Sequence, residues 1–434
     1  LFFPETQHLP KKANQAKIQE SVHSAVDVLS SSLPAPAYLW QMLSTIRALA
    51  REAAPQVKAW RHHLHAHPEL SFQEFETAAF VSDTLSSFGI PHQTGVAGTG
   101  VVALIEGSNP SSRVLALRGD MDALPIQEEN KVAYKSTRPG VMHACGHDVH
   151  TSSLLGAAWI LNQIRDQFQG TVKLLFQPGE ERIPGGASLL IREGVLENPK
   201  PQAILGQHVM PLLPVGKVGF REGLYMASAD EIYLRIYGKG GHGAMPQFAT
   251  DVVAIGAQVI TALQQVVSRS ADPKIPSVLS FGRVEALGAT NVLPDSIYLE
   301  GTFRTMDEDW RAKAHNKIQS ITEGICAAFG ARAELEIRKG YPFLYNDPEL
   351  TRKAREGAVK YLGEENVVDL DIWMAAEDFS YYTREMPGCF YRLGTRNEQK
   401  GIISGVHTST FDIDEEALEI GCGLMAWLAL EQLI

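Results

Sequence analysis

At 434 residues the chain is longer than one compact core ordinarily accommodates, so two domains are expected, one inserted in the other. Hydrophobic residues at 44% and charged residues at 21% are globular values. A net charge of -11, from 39 Lys+Arg against 50 Asp+Glu, with no long basic run, argues against nucleic acid as the main partner. No uninterrupted apolar run approaches the roughly 20 residues of a membrane span, which argues against a membrane partner.

The opening LFFPETQHLPKK has no Met and lacks the basic-then-apolar order of a signal peptide. The four cysteines (Cys145, Cys326, Cys389, Cys422) form no CxxC, and the expected setting is reduced and cytoplasmic. Ile18, Val22, Ala25, Val26 and Leu29 have helical spacing ahead of the linker SSSLPAPA, so residues 1–44 read as a helical extension. A second helix is predicted from Leu39, Met42, Leu43, Ile46 and Leu49, and a third from Val57, Trp60 and Leu64. From residue 100, apolar runs alternate with helical stretches: VVALIEG, RVLALRGD, TSSLLGAAWILNQI, TVKLLFQPGEE, AILGQHV. This is the pattern of an α/β domain with a largely parallel central sheet. Three of its strands run into polar groups, at RGDMD, PGEE and GQH, and the carboxyl ends of such strands are where ligands bind.

Residues 229 to 339 change character. ADEIYLRIYG, SVLSFGRVEA, SIYLEGTFRT and ARAELEIRKG read as strands, DVVAIGAQVITALQQVV and WRAKAHNKIQSITEGICAAFG as helices. The order βαββαβ is an α+β unit of its own, and the α/β pattern resumes after about residue 340. The expected boundaries are therefore 45–226 and 340–434 for a catalytic domain and 227–339 for the insert.

Within HACGHDVHTS, Cys145 and His147 are separated by one glycine, which lets a thiolate and an imidazole address one centre. Alone, the pair is as well explained by a buried cysteine beside surface histidines. Glu180 and Glu181 after one strand, His208 after the next and His407 in SGVHTST enlarge the donor set. Cysteine, glutamate and three histidines exceed what a single zinc-like ion takes, so two ions sharing a ligand are expected. Adjacent glutamates suit such a site if one holds metal and the other remains a free base.

The segments RGDMDALP, HACGHDVHTS, LLFQPGEE, GQHV, GKGGHGAMP, NVLPD, GTFRT and AAEDFSYY resemble the dinuclear metallo-amidohydrolases and peptidases related to aminoacylase and carboxypeptidase G. The nearest branch is that of hippurate hydrolases, bacterial N-acyl-L-amino-acid amidohydrolases and plant auxin-conjugate hydrolases. The resemblance runs in order from about residue 45 to the end. It implies a metallopeptidase-type catalytic domain with an inserted lid and dimerisation domain. It implies two divalent ions (Zn, Mn, Co or Ni) bridged by Cys145, one completed by His147 and His208, the other by Glu181 and His407. Glu180 would be the general base for the water between them, and Asp122 would orient His147. Many relatives carry a metal-binding histidine where this chain has Asp120, a donor that His147 replaces; Asp148 and His150 are not counted among the metal ligands.

His242 in GGHG would reach a neighbouring subunit's site and steady the tetrahedral oxyanion, a contribution of roughly 2.7–4 kcal/mol for such a donor. Asn291 and Arg304 resemble the groups that hold the substrate's carboxylate. The implied activity is hydrolysis of N-acetyl, N-benzoyl or indole-acetyl amino acids by a homodimer or higher homo-oligomer. Phe379, Tyr381 and Tyr382 read as core or pocket lining. The alternatives are a metallo-carboxypeptidase or dipeptidase of the same superfamily, a cysteine nucleophile at Cys145, a structural metal protein, and a non-catalytic receptor that keeps the fold. A nucleophilic Cys145 leaves Glu180, Glu181, His208 and His407 unexplained. A structural metal site predicts no spare glutamate, and a receptor predicts a lost base or ligand.

Overall fold

The computed structural model describes residues 35–434, so the helix expected over residues 15–29 lies outside the described residues. The chain divides into two compact units, Leu1–Leu49 and Ala50–Ile434. The two helices expected between Leu39 and Leu64 are one, α1 (Ala35–Ala66), with Pro55 inside it. An interior proline costs a helix about 3 kcal/mol. Val57, Trp60 and Leu64 are buried on the far side of it, each gaining roughly 1.5–3 kcal/mol, so burial outweighs the break.

Seven strands follow before the insert: β1 (His92–Val96), β2 (Gly100–Glu106), β3 (Val114–Asp120), β4 (Thr171–Gln177), β5 (Ala203–Pro214), β6 (Val218–Phe220) and β7 (Gly223–Met226). Between β3 and β4 lies α2 (His147–Gln163), buried along most of its length. The insert holds β8 (Asp230–Tyr237), β9 (Gly241–His242), α3 (Val252–Gln265), β10 (Ser277–Glu285), β11 (Val292–Leu293), β12 (Ser296–Thr305), α4 (Glu308–Ala328) and β13 (Arg332–Lys339). The chain closes with β14 (Leu344–Asn346), β15 (Val367–Asp369), β16 (Gly388–Arg396) and α5 (Glu416–Leu433).

The central sheet has the order β1-β2-β4-β3-β5-β16-β6-β15. Its middle pairs, β4 with β3, β3 with β5 and β5 with β16, are parallel, and antiparallel pairs flank them. Every residue of β3 and β4 is buried, as expected for strands covered on both faces. Helices α2 and α5 pack against each other at Gly156, where an added Cβ would stand 2.6 Å from that of Cys422.

The insert forms a separate antiparallel sheet, β10-β12-β8-β13. Alternate residues of β8 (Ile232, Leu234, Ile236) and β12 (Ile297, Leu299, Phe303) point to one core, closed by Ile255, Val259 and Leu263 of α3 and Trp310 and Ile318 of α4. Asp251 and Asp307 cap those helices by accepting backbone N–H bonds. Val252–Ser270 is long and apolar enough to cross a membrane by length and composition alone, but its buried residues face this sheet.

Candidate functional site

Three central strands deliver the polar groups. β3 ends on Asp120 with Asp122 just beyond, and β4 leads through Pro178 and Gly179 into Glu180 and Glu181. His208 departs from expectation: β5 runs on to Pro214 because β16 pairs beside it, so the histidine sits mid-strand, level with Arg392. Gly146, at φ +81, turns the chain so that Cys145 precedes α2 and His147 is its first residue. His407 is held at φ +62, costly for a residue with a Cβ, and its N–H donates to the Ala144 carbonyl at 2.7 Å.

These segments converge on a cavity of about 890 Å³ lined by Cys145, Glu180, Glu181, His208 and His407, with Arg304 arriving from β12. The donor atoms of Cys145, His147 and His208 lie within 4.8 Å of one another, and so do those of Cys145, Glu181 and His407. Cys145 belongs to both triplets and so stands between two centres. Its sulfur is 3.5 Å from His208 Nε2. A tetrahedral ion with ordinary Zn–S and Zn–N bond lengths would separate the two donors by about 3.6 Å. Glu181 Oε1 is 3.2 Å from His407 Nε2, where two such N/O ligands would stand about 3.4 Å apart.

The unpaired atoms fit the same reading. His147 Nε2 and Glu181 Oε1 are buried without a hydrogen-bond partner, a costly state that a cation beside each would relieve. His208 donates from Nδ1 to the Val209 carbonyl at 2.7 Å, which leaves Nε2 as the lone-pair atom facing the cavity. Asp122 organises the rest. Its Oδ1 lies 3.2 Å from His147 Nδ1 and accepts from the Glu180 N–H at 3.0 Å; its Oδ2 accepts from Ser71 Oγ at 2.6 Å and the Glu181 N–H at 3.0 Å.

Electrostatics without a cation are those of a crowded acidic pocket. Burial, then Glu181 and Glu180, push the Cys145 thiol well up, and burial with Glu377 and Glu181 raises Glu180. Burial alone would lower His147, but Asp120 and the hydrogen bond to Asp122 outweigh it and lift it to about 10. Burial and the neighbouring Arg392 hold His208 far below the ordinary imidazole range. Two divalent charges would reverse the shifts on the thiol and the carboxyl.

Asp120 serves this frame without facing the cavity. It pairs with Arg118, takes a 2.6 Å hydrogen bond from His150 Nδ1, and stands 3.7 Å from His147 Nε2. His150 Nε2 in turn accepts the Val209 N–H at 2.9 Å, which anchors β5 beside His208 and gives this histidine a positioning role that sequence reading missed. Glu377 and Asp378 were also missed. Both accept from the buried Arg118, at 2.9 and 2.8 Å, and the Asp378 N–H reaches Glu180 Oε1 at 3.4 Å. Tyr341 donates its hydroxyl to the Glu180 carbonyl. Charged residues inside otherwise apolar strands, Arg118 in VLALRGD and Arg392 in CFYRLG, were the available signal.

His242 and Asn291 are not brought to this cavity. They sit together on the exposed β9–β11 pair of the insert, where the Gly243 N–H donates to the Asn291 carbonyl at 2.8 Å. Arg304 lines the cavity and Asn291 does not. All four cysteines are free thiols and buried.

The chain is similar to known proteins. The chain is 48% identical over 304 residues to an N-acyl-L-amino acid amidohydrolase of Geobacillus stearothermophilus, covering 70% of this chain and 81% of that one. It is 40% identical over 379 residues to an IAA-amino acid hydrolase of Arabidopsis thaliana, covering 86% of each. A dinuclear metal binding peptidase of Bacillus subtilis superposes with a TM-score of 0.75 at 37% identity, over 88% of this chain and 99% of that one. Residues 116–431 match the model of peptidase family M20/M25/M40, and with the strand-borne donor set in place the chain belongs to that family.

Proposed function

We propose that the protein is a metal-dependent amidohydrolase that cleaves the amide of N-acyl amino acids to a free amino acid and a carboxylic acid. The observation that carries the reading is the second carboxylate: Glu181 joins Cys145 and His407, while Glu180 faces the same cavity outside both Cys145 triplets and makes no salt bridge among the described residues. A purely structural metal site has no use for it. Cys145 would be shared by two ions, with His147 and His208 to hold one and Glu181 and His407 the other. When bound, the ions supply Lewis acidity toward the amide carbonyl and make water a stronger acid.

The side chains do the rest. Glu180, steadied by the Asp378 N–H, takes a proton from the attacking water and returns it to the departing nitrogen as the C–N bond breaks. Arg304 lies on the cavity wall, donates from Nε to Thr302 Oγ1 and makes no salt bridge among the described residues, which leaves its Nη groups to hold the substrate's α-carboxylate. His242 and Asn291, distant from their own cavity, act in the site of a partner subunit, with residues 227–339 as lid and dimerisation domain and residues 45–226 and 340–434 as catalytic domain. The proposed substrates are N-acetyl, N-benzoyl or indole-acetyl amino acids, with zinc, manganese, cobalt or nickel as the ion; the relatives' names support the N-acyl-amino-acid class and its IAA members.

The deciding experiment is release of amino acid from such a panel, after chelation and after adding back each metal. Activity lost with chelator and restored by metal supports the reading. Silence across the panel with two ions bound per chain overturns it.

A further inference from the structure

Arg61, Arg118, Arg311 and Arg392 are fully buried. The first three each lie against carboxylates: Arg61 on Asp148 and Asp412, Arg118 on Asp120, Glu377 and Asp378, Arg311 on Asp230 and Glu308. Arg392 has none within salt-bridge distance among the described residues. Its Nε donates to the Tyr225 hydroxyl at 2.7 Å, its Nη2 meets only the Met226 sulfur at 3.0 Å, and its Nη1 is buried without a partner. Trp373, Phe390 and Tyr225 pack on the guanidinium at 4.8, 5.0 and 5.5 Å. Cation–π contact and a thioether do not replace the water or carboxylate a buried guanidinium needs. Glu377, the acid on which Arg392 exerts a pull, is already held by Arg118.

This cation is part of the wall of the catalytic cavity. It stands level with His208 in the parallel β5–β16 register, and Met226 and Trp373, which it contacts, line the same cavity. Arg392 is thus a buried cation without a carboxylate partner among the described residues, set in the cavity wall behind Met226 and Trp373. Met226, a flexible side chain, occupies the place a better acceptor would take. Arg304 faces the same cavity from the other sheet.

We propose that Arg392 binds a second carboxylate of the substrate, so that the substrates are N-acyl amino acids with two anionic groups, one met by Arg304 and one by Arg392. This rests on the amidohydrolase reading above. The second carboxylate belongs either to a dicarboxylic acyl group or to an acidic amino-acid side chain, and the fork of arginine recognises both alike.

The test uses the metal-loaded protein and two matched pairs: N-succinyl-L-leucine against N-butanoyl-L-leucine, and N-acetyl-L-glutamate against N-acetyl-L-glutamine. In the wild type, one pair is expected to show a preference for the carboxylated member of about ten- to a hundredfold in kcat/KM, and that pair names the source. Arg392→Met is expected to collapse that ratio, with Arg392→Lys intermediate because the charge remains and the fork is lost. Equal kcat/KM within both pairs in the wild type, or a ratio unchanged in Arg392→Met, overturns the proposal. Glutarate binding, read by calorimetry on wild type and Arg392→Met, separates the two levels of inference. Glutarate bound by the wild type and at least tenfold weaker in the variant, with no substrate turned over, retains the subsite and removes the amidohydrolase reading. Equal binding by both proteins, or none by either, removes the subsite.

Discussion

Asp122→Asn isolates the one residue that ties the donor cluster to the base. All four partners of this carboxylate are donors: Ser71 Oγ and the Glu181 N–H on one oxygen, His147 Nδ1 and the Glu180 N–H on the other. An asparagine accepts on one side only. Whichever way its amide is turned, an NH2 group confronts two donors, and two hydrogen bonds to a charged acceptor are lost at about 1.5–3 kcal/mol each. Relaxation of the exposed end of the Glu180–Glu181 turn returns part of this, leaving a net cost on the order of 3 kcal/mol. His147 is at the same time freed to adopt the wrong tautomer and ring angle. Loss of such a partner typically weakens metal binding by about 10–100-fold. Metal affinity measured by competition with a graded series of chelators should therefore fall by that factor, whereas Ser71→Ala, which removes a single donor and leaves Oδ2 its backbone partner, should fall by much less. If Asp122→Asn holds metal within about threefold of wild type, the hub role is wrong, whatever happens to activity.

Four further outcomes are expected. Glu180→Gln should retain both ions by elemental analysis while kcat drops about 10²–10⁴-fold; a variant of near-normal activity would remove Glu180 as the base. Gly146→Ala asks for a left-handed residue whose Cβ stands 2.5 Å from Val209 Cγ2, so the metal-loaded protein should lose about 2–4 kcal/mol in chemical unfolding, and a loss under 0.5 would contradict the geometry. His65 lies against Asp148 and Glu128; burial and Arg61 lower it, but these carboxylates prevail and raise it above its ordinary 6.5. Its contribution is fully present below about pH 6.5 and lost as pH rises through the folded-state value, so His65→Gln should cost more stability at pH 6 than at pH 9; an equal cost at both would show that the imidazolium is not what stabilises. Mixing two inactive proteins, Glu180→Gln and His242→Ala, under subunit exchange should restore activity, since one site of the hybrid receives both residues intact; continued inactivity after demonstrated exchange would place His242 outside the partner's site.

The residue types of the site were legible because metal chemistry is selective about donors. A thiol, three imidazoles and paired glutamates have few other uses together, and period-2 alternation in ADEIYLRIYG and SIYLEGTFRT marks two paired strands of the insert's sheet. Local signals failed where distant contacts overrode them. Pro55 marks a break that burial of Val57, Trp60 and Leu64 suppresses, and β5 continues past His208 only because β16, 184 residues on from His208 at Arg392, supplies the pairing. The partners of buried charges were equally invisible. Nothing in the sequence states that Asp122 holds both glutamate N–H groups, that Arg118 is neutralised by Glu377 and Asp378, or that Arg392 is left without a carboxylate. Which groups can bind a metal is a property of each side chain and is written residue by residue. Whether a buried charge is satisfied is a property of the strand register and of segments hundreds of positions apart, and only the folded chain decides it.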